Sequence, residues 1–470
     1  MLIPRQRLLR LAGDLMLLLA MLIVATHVQA QALSLSDAMR RADEYAFANI
    51  AARGSDLAQR ADATRALRGI LPTLRADAGY LRTTDPVAVF GTTLRQRSIT
   101  AQDFDPARLN FPSPAPNYTA ALVLEQPLFN ADALLGRNAA GSLSRASAAD
   151  SRWTAIDTRV EIVRAYYGAI LAGHEVATLD AALRAAREHV RQAEALVKNG
   201  LVTPADALLA SVKAGEVETA LIEARGRAAT AHAGLAVALG TPSDTTIALP
   251  LRLPSNDVIT TLAHASRSAT TLRERDDVVA AQLRSKAAQQ DAARAKSLYL
   301  PRINSFARYD WNAANQPFTG TKNWTVGVMA SWTPFAGAYE LAELQATGGR
   351  RQAADAAREG AQARADLELA KSAVELDVGL ARLAIAQRSQ QQSADAHRIV
   401  ARKYAGGIAS IVELLDAAAA ETASRLGEAA ARYALINAVA TRQRAIGADL
   451  SAMSALDNAA VASQPNPNEP

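Results

Sequence analysis

The chain is written twice. Gly200 and Gly407 stand 207 residues apart, as do Gly240 and Gly447, while Phe129 precedes Phe335 by 206. Self-similarity at a fixed period means one supersecondary unit built twice, so any fold assigned to one half constrains the other. The first two glycines sit in matched stretches, Lys198-Asn199-Gly200-Leu201-Val202-Thr203-Pro204-Ala205-Asp206 and Tyr404-Ala405-Gly406-Gly407-Ile408-Ala409-Ser410-Ile411-Val412-Glu413. Each reads as a glycine closing one helix, then Thr203 or Ser410 as N-cap, then a carboxylate in the first turn of the next helix. Both are read as hairpin tips. Leu71-Pro72-Thr73-Leu74 matches Leu300-Pro301-Arg302-Ile303 at an offset of 229, so the extra 23 residues fall between Pro72 and Phe129 and place one long loop at Thr93 to Asn117.

Composition enters by what it excludes. With no cysteine among its 470 residues, the chain has neither disulfides, nor thiolate metal sites, nor a lipid-anchoring cysteine. The first thirty residues combine a basic start, an apolar run from Leu15 to Ala25 and the small-residue site Val28-Gln29-Ala30, the three-part plan of a secretory signal peptide. Removing it sets Arg5, Arg7 and Arg10 against Asp14 and lowers the net charge from +5 to +3, which carries no nucleic-acid signal. No later run approaches the roughly twenty apolar residues of a membrane helix. If the mature chain crosses a membrane, it does so with strands.

Proline marks the breaks, because it disrupts helix interiors. The Pro-free stretches after the signal peptide are rich in Ala, Arg, Glu, Gln and Leu and read as helical. Ala131 to Asn199 and Ala336 to Gly406 are long enough for helices of about 100 Å at 1.5 Å per residue. Ser34 to Ile70 and Thr203 to Leu239 read as half-length helices, and Val258 to Tyr299 as another continuous one. Ala210, Ala214, Val217, Leu221, Ala224, Ala228, Ala231, Leu235 and Ala238 follow the four-three spacing of a coiled-coil seam. In the second repeat Leu415, Ala419, Thr422, Leu426, Ala429, Tyr433, Ile436 and Ala440 do the same.

Four segments alternate with a period of two instead. Leu74, Ala76, Ala78 and Tyr80 share one face, as do Tyr118, Ala120, Leu122 and Leu124. The second repeat answers with Ile303, Ser305, Ala307, Tyr309 and Trp311, then Trp324, Val326, Val328, Ala330 and Trp332. At about nine to eleven residues each, with aromatics near the ends, these have the length and the girdle of transmembrane strands. Two soluble hairpins capping a helical bundle would alternate in the same way. Four strands alone cannot close a barrel, and open edges cannot face lipid, so in the membrane reading oligomerisation closes it.

No catalytic constellation stands out. The six histidines are dispersed, His174-Glu175 lacks the second histidine of a zinc-protease helix, and neither a P-loop, a dinucleotide glycine pattern nor a Gly-x-Ser-x-Gly elbow is present. The chain is therefore read as no enzyme, with no cofactor and no metal site. His189 and His397 read as solvated helix residues, and Arg184, Arg187 and Arg191 as a solvated face of charge pairs. Asp206, Glu413 and Asp416 gather at the tips, where each can serve a helix N-terminus as well as line an aperture. Leu201, Val202, Ile408 and Ile411, beside Gly200 and Gly407, are apolar residues at an exposed turn and so candidates for docking a partner.

The tip residues, with Gln126-Pro127-Leu128-Phe129-Asn130 and Pro334-Phe335-Ala336-Gly337 at the strand-to-helix junctions, resemble the TolC family of outer-membrane efflux and secretion proteins over about Leu33 to Gly447. The resemblance implies a homotrimer with one shared twelve-stranded barrel in the outer membrane above a long helical barrel in the periplasm. It implies a passive duct that docks by its tips to a periplasmic adaptor and an inner-membrane transporter. The family's tip-closing polar links would fall by position to Asp206, Tyr404, Glu413 and Asp416. A position often arginine in the family is Ala409 here, which removes an arginine latch at that place.

The fold class is thus mainly α with a small membrane β-part, a tandem repeat of β-hairpin plus long coiled-coil helical hairpin. Its divisions are a signal peptide over 1–30, a first repeat over 31–240, a linker over 241–256, a second repeat over 257–447 and a disordered tail over 448–470. The strands are expected at about 73–82, 118–127, 302–312 and 323–333, and the tips at about 199–206 and 404–416. Tyr80, Tyr118, Tyr309, Trp311, Trp324 and Trp332 form the expected aromatic girdle against outer-membrane lipid. The functional alternative is a trimeric coiled-coil structural or adhesive surface protein without channel activity.

Overall fold

A computed structural model describes residues 32–269 and 274–457. The expected signal peptide and residues 458–470 of the expected tail lie outside the described residues. The first repeat holds α1 (Leu35–Tyr45), α2 (Phe47–Arg65), β1 (Thr73–Thr83), α3 (Pro86–Arg95), α4 (Pro106–Asn110), β2 (Ala115–Phe129), α5 (Ala131–Lys198) and α6 (Pro204–Ala238). Then come α7 (Asn256–Ser268), α8 (Asp276–Ser297), β3 (Arg302–Ala313), β4 (Thr321–Ser331), α9 (Tyr339–Ala405) and α10 (Ile411–Ala445). The chain is mostly helical with one small sheet, and it divides into two compact units. One comprises Met1–Ala51, Thr154–Glu274 and Asp366–Pro470; the other comprises Ala52–Trp153 and Arg275–Ala365.

The second of these units carries the sheet, antiparallel throughout in the order β1-β2-β3-β4. Its register sets Leu74 opposite Leu124, Ala76 opposite Leu122 and Tyr80 opposite Tyr118. Leu122 in turn faces Tyr309, which faces Trp324. Because side chains alternate along each strand, these rows put Leu74, Tyr80, Leu122, Leu124, Tyr309, Trp324, Val326 and Val328 on one face. The opposite face carries Arg75, Asp77, Glu125, Arg308 and Asp310.

The segment read as one long loop is folded. It takes in the last residues of α3, a 3-10 turn at Ala101–Phe104 and α4, and β2 begins already at Ala115. Its proline punctuation marks helix starts, because Asp85 accepts from Ala88 N at 2.7 Å ahead of Pro86, and Asp105 from Ala107 N at 2.9 Å ahead of Pro106.

In the first unit the core gathers Leu35 and Ala38 of α1, Ile162, Tyr166 and Tyr167 of α5, Leu376 and Leu383 of α9, and Leu435, Ile436 and Val439 of α10. Each buried Leu, Ile or Val among them contributes about 1.5–3 kcal/mol by leaving water. The first residues of the expected disordered tail are ordered instead, since Leu450, Met453 and Leu456 are buried in this core. Asp457 accepts from Leu35 N at 2.7 Å and Ser36 N at 2.9 Å, tying this segment to the start of α1. Three apolar residues spaced by three are a buried helical turn, which the polar segment after them hides.

Two expected continuous helices are interrupted. Ala46 turns to an extended conformation (φ −61°, ψ 132°) between α1 and α2, where Asn49 Nδ2 donates to Ala42 O at 3.0 Å. The run from Val258 to Tyr299 breaks between α7 and α8. Of the expected seams, Ala210, Ala214, Leu221, Ala224 and Leu235 are buried on α6, and Leu415, Ala429, Ile436 and Ala440 on α10, whereas Ala419 is exposed. The long helices α5 and α9 have 68 and 67 residues.

All four repeated glycines end their helices in the left-handed region, Gly200 at φ 69°, Gly407 at 73°, and Gly240 and Gly447 at 72°. The next amide bonds back five residues each time: Leu201 to Leu196 O, Ile408 to Lys403 O, Thr241 to Ala236 O and Ala448 to Gln443 O, at 2.8–2.9 Å. That is the Schellman closure, and it needs a residue without a Cβ penalty. At Gly240 an added Cβ would lie 2.1 Å from Tyr45 O. Gly240→Ala is therefore expected to destabilise the protein by about 1–3 kcal/mol from backbone strain before the overlap is counted. Gly234→Ala, mid-helix with nothing within 4 Å, should be neutral or stabilising. Thermal unfolding of the two variants in detergent measures the difference.

Candidate functional site

Two groups of residues invite function, the sheet in one unit and the tips in the other. The apolar face of the sheet is largely open: Trp324 is 72 % exposed, and Leu74, Tyr80, Val326, Val328 and Trp332 are exposed as well. So wide an apolar surface on a sheet is a sheet against lipid or another chain. Tyr80 and Tyr118 lie 4.7 Å apart, as do Tyr309 and Trp311, so five of the six expected girdle aromatics cluster toward the end where the strands turn back. Trp332 stands at the other end, where its Nε1 donates to Tyr299 O at 3.1 Å. Trp324 and Trp332 are eight residues apart along the strand, about 26 Å at 3.3 Å per residue, close to the roughly 25 Å apolar band of an outer-membrane barrel.

The polar face pairs its charges along each strand. Arg75 Nε meets Asp77 at 3.0 Å and Arg308 Nε meets Asp310 at 2.8 Å. Sequence reading passed over these pairs because an Arg-x-Asp step is also the ordinary dress of a solvated strand. The sheet has two open edges, β1 and β4, within this chain. Among the described residues no helix is long and apolar enough to cross a membrane.

At the tips, Ala193 of α5, Ala210 of α6, Tyr404 of α9 and Ile411, Leu414 and Leu415 of α10 form one small core, so the two hairpin ends pack together. Asp206 closes a capping box, accepting from Thr203 N at 2.8 Å and Thr203 Oγ1 at 2.9 Å. Glu413 does the same for Ser410, accepting from Ser410 N at 2.7 Å while its own amide donates to Ser410 Oγ at 3.3 Å. The backbone amide and hydroxyl of Ser410 hold the Glu413 carboxyl below its ordinary value of 4.5. The Tyr404 ring is buried, its hydroxyl has no hydrogen-bond partner among the described residues, and burial with the nearby Asp206 charge raises its pKa. Asp416 is exposed on α10.

Leu201 (69 % exposed) and Ile408 (80 %) stand out from the turns with Gly200 and Gly407, and Val202 is half-buried. Ile411 corrects the expectation of an exposed docking residue, because at 3 % exposure it anchors the tip core. As the first residue of α10 it points back into the hairpin, which the turn pattern alone does not reveal.

His189 and His397 are a second correction. They are not solvated: their rings meet edge to face at 6.1 Å, and His397 Nδ1 lies 2.5 Å from Glu421. Burial, then the neighbouring His397, lowers the pKa of His189. The pairing joins residues more than two hundred apart, beyond the reach of helical spacing. Arg184 and Arg191 make intrahelical pairs with Asp180 and Glu188, and Arg187 reaches Glu218 at 3.2 Å, as a solvated charged face requires. The outward face of α9 was also missed. Leu367, Val374, Val378 and Ile385 are exposed at seven-four-seven spacing, whereas Leu376 and Leu383 of the same helix are wholly buried. A helix with two apolar faces has two packing partners.

A model of the outer membrane efflux protein family matches residues 47–241 and 268–448. No curated protein matches the chain. Among solved structures it is similar to the outer membrane protein VceC of Vibrio cholerae, at 20 % identity over 89 % of this chain and 97 % of that one, TM-score 0.73. It is also similar to the CmeC outer membrane channel of Campylobacter jejuni (15 % identity, 88 % and 85 % covered, TM-score 0.71). The MtrE outer membrane channel of Neisseria gonorrhoeae, in its open state, gives 17 % identity, 89 % of each chain and a TM-score of 0.70.

The capping geometry has a pH signature. A carboxyl whose folded pKa is lowered adds stability above its unfolded value and loses it as the pH falls through the folded one. The protection factors of the amides across Ser410–Glu413, measured against intrinsic exchange at each pH, are expected to fall as the pH drops below the ordinary glutamate value of 4.5, and Glu413→Gln should flatten that dependence. Ser410→Ala, which deletes the N-cap acceptor, should cost about 1 kcal/mol and accelerate exchange there at neutral pH.

Proposed function

Because this chain belongs to the outer membrane efflux protein family, we propose that it is the outer-membrane exit duct of a tripartite efflux pump or one-step secretion system, a passive channel for small molecules or proteins. The observation that carries this reading is the four-stranded sheet with two open edges and an exposed apolar face. In lipid each unpaired backbone group costs several kcal/mol, so a membrane sheet must close on itself. Three copies of a four-stranded sheet give one barrel of twelve, with Tyr80, Tyr118, Tyr309, Trp311, Trp324 and Trp332 at its interfaces. The Arg75–Asp77 and Arg308–Asp310 pairs then line the lumen. The outward faces of α9 (Leu367, Val374, Val378, Ile385) and of α6 (Leu208, Val212, Ile222) supply helix-to-helix contacts between copies.

The tips are the periplasmic aperture. Asp206, Tyr404, Glu413 and Asp416 give it an acidic, cation-preferring rim, and the burial of Tyr404 beside Asp206 couples the two hairpins of one protomer. Leu201, Val202 and Ile408, raised by Gly200 and Gly407, are the contacts for a periplasmic adaptor, which in turn joins an inner-membrane transporter. Cargo choice rests with the transporter.

Two measurements test this. In detergent the protein should run as a trimer and in planar bilayers it should conduct; a monomer without conductance overturns the reading. The triple variant Asp206→Asn, Glu413→Gln, Asp416→Asn should raise conductance and weaken cation preference, while unchanged gating would remove these carboxylates from the aperture.

A further inference from the structure

The segment inserted between β1 and β2 is the part of the chain that the duct reading leaves without work. It is internally ordered. Asp85 and Asp105 cap its helices, Thr100 and Asp103 close a capping box, and Phe90 packs edge-on against Phe104 at 5.8 Å. It is also fastened to the sheet, and on one face only. Gln96 Nε2 donates to Pro116 O at 2.9 Å and to Asn117 Oδ1 at 3.0 Å, and Asn117 Nδ2 donates to Asn312 Oδ1 at 3.0 Å. Beyond these strands, Thr321 Oγ1 on β4 donates to Arg95 O.

By the strand register, Asn117, Asn312 and Thr321 alternate with the apolar rows and so belong to the polar face with Arg308 and Asp310. The attachments therefore run from β2 through β3 to β4 along the turn end of that face. Burial agrees: in a sheet that is mostly open, Asn117 and Asn312 are 3 % and 4 % exposed. A buried amide side chain needs its partners supplied, and Gln96 supplies one. Arg97, next in sequence, is held at φ 53°, a conformation that costs a non-glycine residue about 1 kcal/mol or more. That turn leaves the side chains of Arg95 and Arg97 exposed on the fastened segment.

We propose that residues 84–114 form a fixed strap folded inward over the outer mouth of the lumen, and that Arg95 and Arg97 give this mouth a preference for anions. The inference rests on the polar face being the lumen wall. Three straps in the closed barrel would narrow the exit and set Arg95 and Arg97, at the fastened turn, in series with the acidic aperture formed by the tips, while the segment's aspartates Asp85, Asp103 and Asp105 are engaged at its helix starts. Charged side chains at a constriction govern which ions cross it.

The absence of native cysteine makes the test clean. Arg97→Cys and, as control, Lys322→Cys, at the same end but on the apolar face, are labelled in the bilayer from the side of the strand turns with a bulky membrane-impermeant maleimide. The strap predicts that labelling Arg97→Cys lowers the single-channel current and that labelling Lys322→Cys leaves it unchanged. Labelling of Arg97→Cys without loss of current, or no labelling of it at all, overturns the proposal. A protein that conducts nothing before labelling would instead defeat the duct reading. In a second arm, Arg95→Gln with Arg97→Gln should shift the reversal potential in a salt gradient toward cations, and an unmoved potential removes the arginines from the mouth.

Discussion

An unpaired backbone in hydrocarbon is the condition on which everything else in this protein turns. The four strands offer lipid a clean apolar face, yet the first and last of them end in rows of unbonded amides and carbonyls. A soluble protein blunts such edges with charge, proline or a covering helix. Here the strands are eleven to fifteen residues long, and the edge strand β4 carries Trp324, Val326 and Val328 on the apolar face. A sheet of this kind is a third of a closure, and sister copies complete it.

The helices obey the same logic in water. α9 buries Leu376 and Leu383 within its own unit and leaves a second apolar row open, so it is written for two neighbours. Alanine-rich seams on α6 and α10 bring backbones close. The Schellman glycines and capping boxes then stop each helix at a defined residue. These termini gather carboxylates, because a capped helix start favours an acid in its first turn, here Asp206 and Glu413. The capping role of these side chains is thus separate from the aperture charge proposed for them, and variants that keep the cap and remove the charge tell the two apart.

Much was legible from spacing alone. The 207-residue offset, the four alternating segments, the matched glycine turns and the long proline-free runs depend on local periodicity, and local periodicity is what a sequence displays. The tip carboxylates were visible for the same reason, since N-cap and third helical position lie three apart. Legibility failed where a side chain's neighbour comes from elsewhere in the chain. Ile411 looked like a turn residue and packs inward; His189 and His397 looked solvated and face one another. Leu450, Met453 and Leu456 looked like the start of a loose tail and close the core beneath α1. The insertion after β1 looked like a loop because aspartate-proline pairs punctuate loops and helix starts alike.

What the sequence by itself determined is the repeat, the kind of each element and the faces of the strands, because periods of 2 and 3.6 and the demands of glycine and proline act within a few residues. What only the tertiary structure decided is which faces meet: the register that sorts arginine-aspartate pairs from the aromatic rows, the shared core of the two tips, and the strap held to β2 and β4 by Gln96 and Thr321. Those contacts join residues from about twenty to more than two hundred positions apart. Their free energy comes from burial and from hydrogen bonds completed across the fold, which no local pattern records.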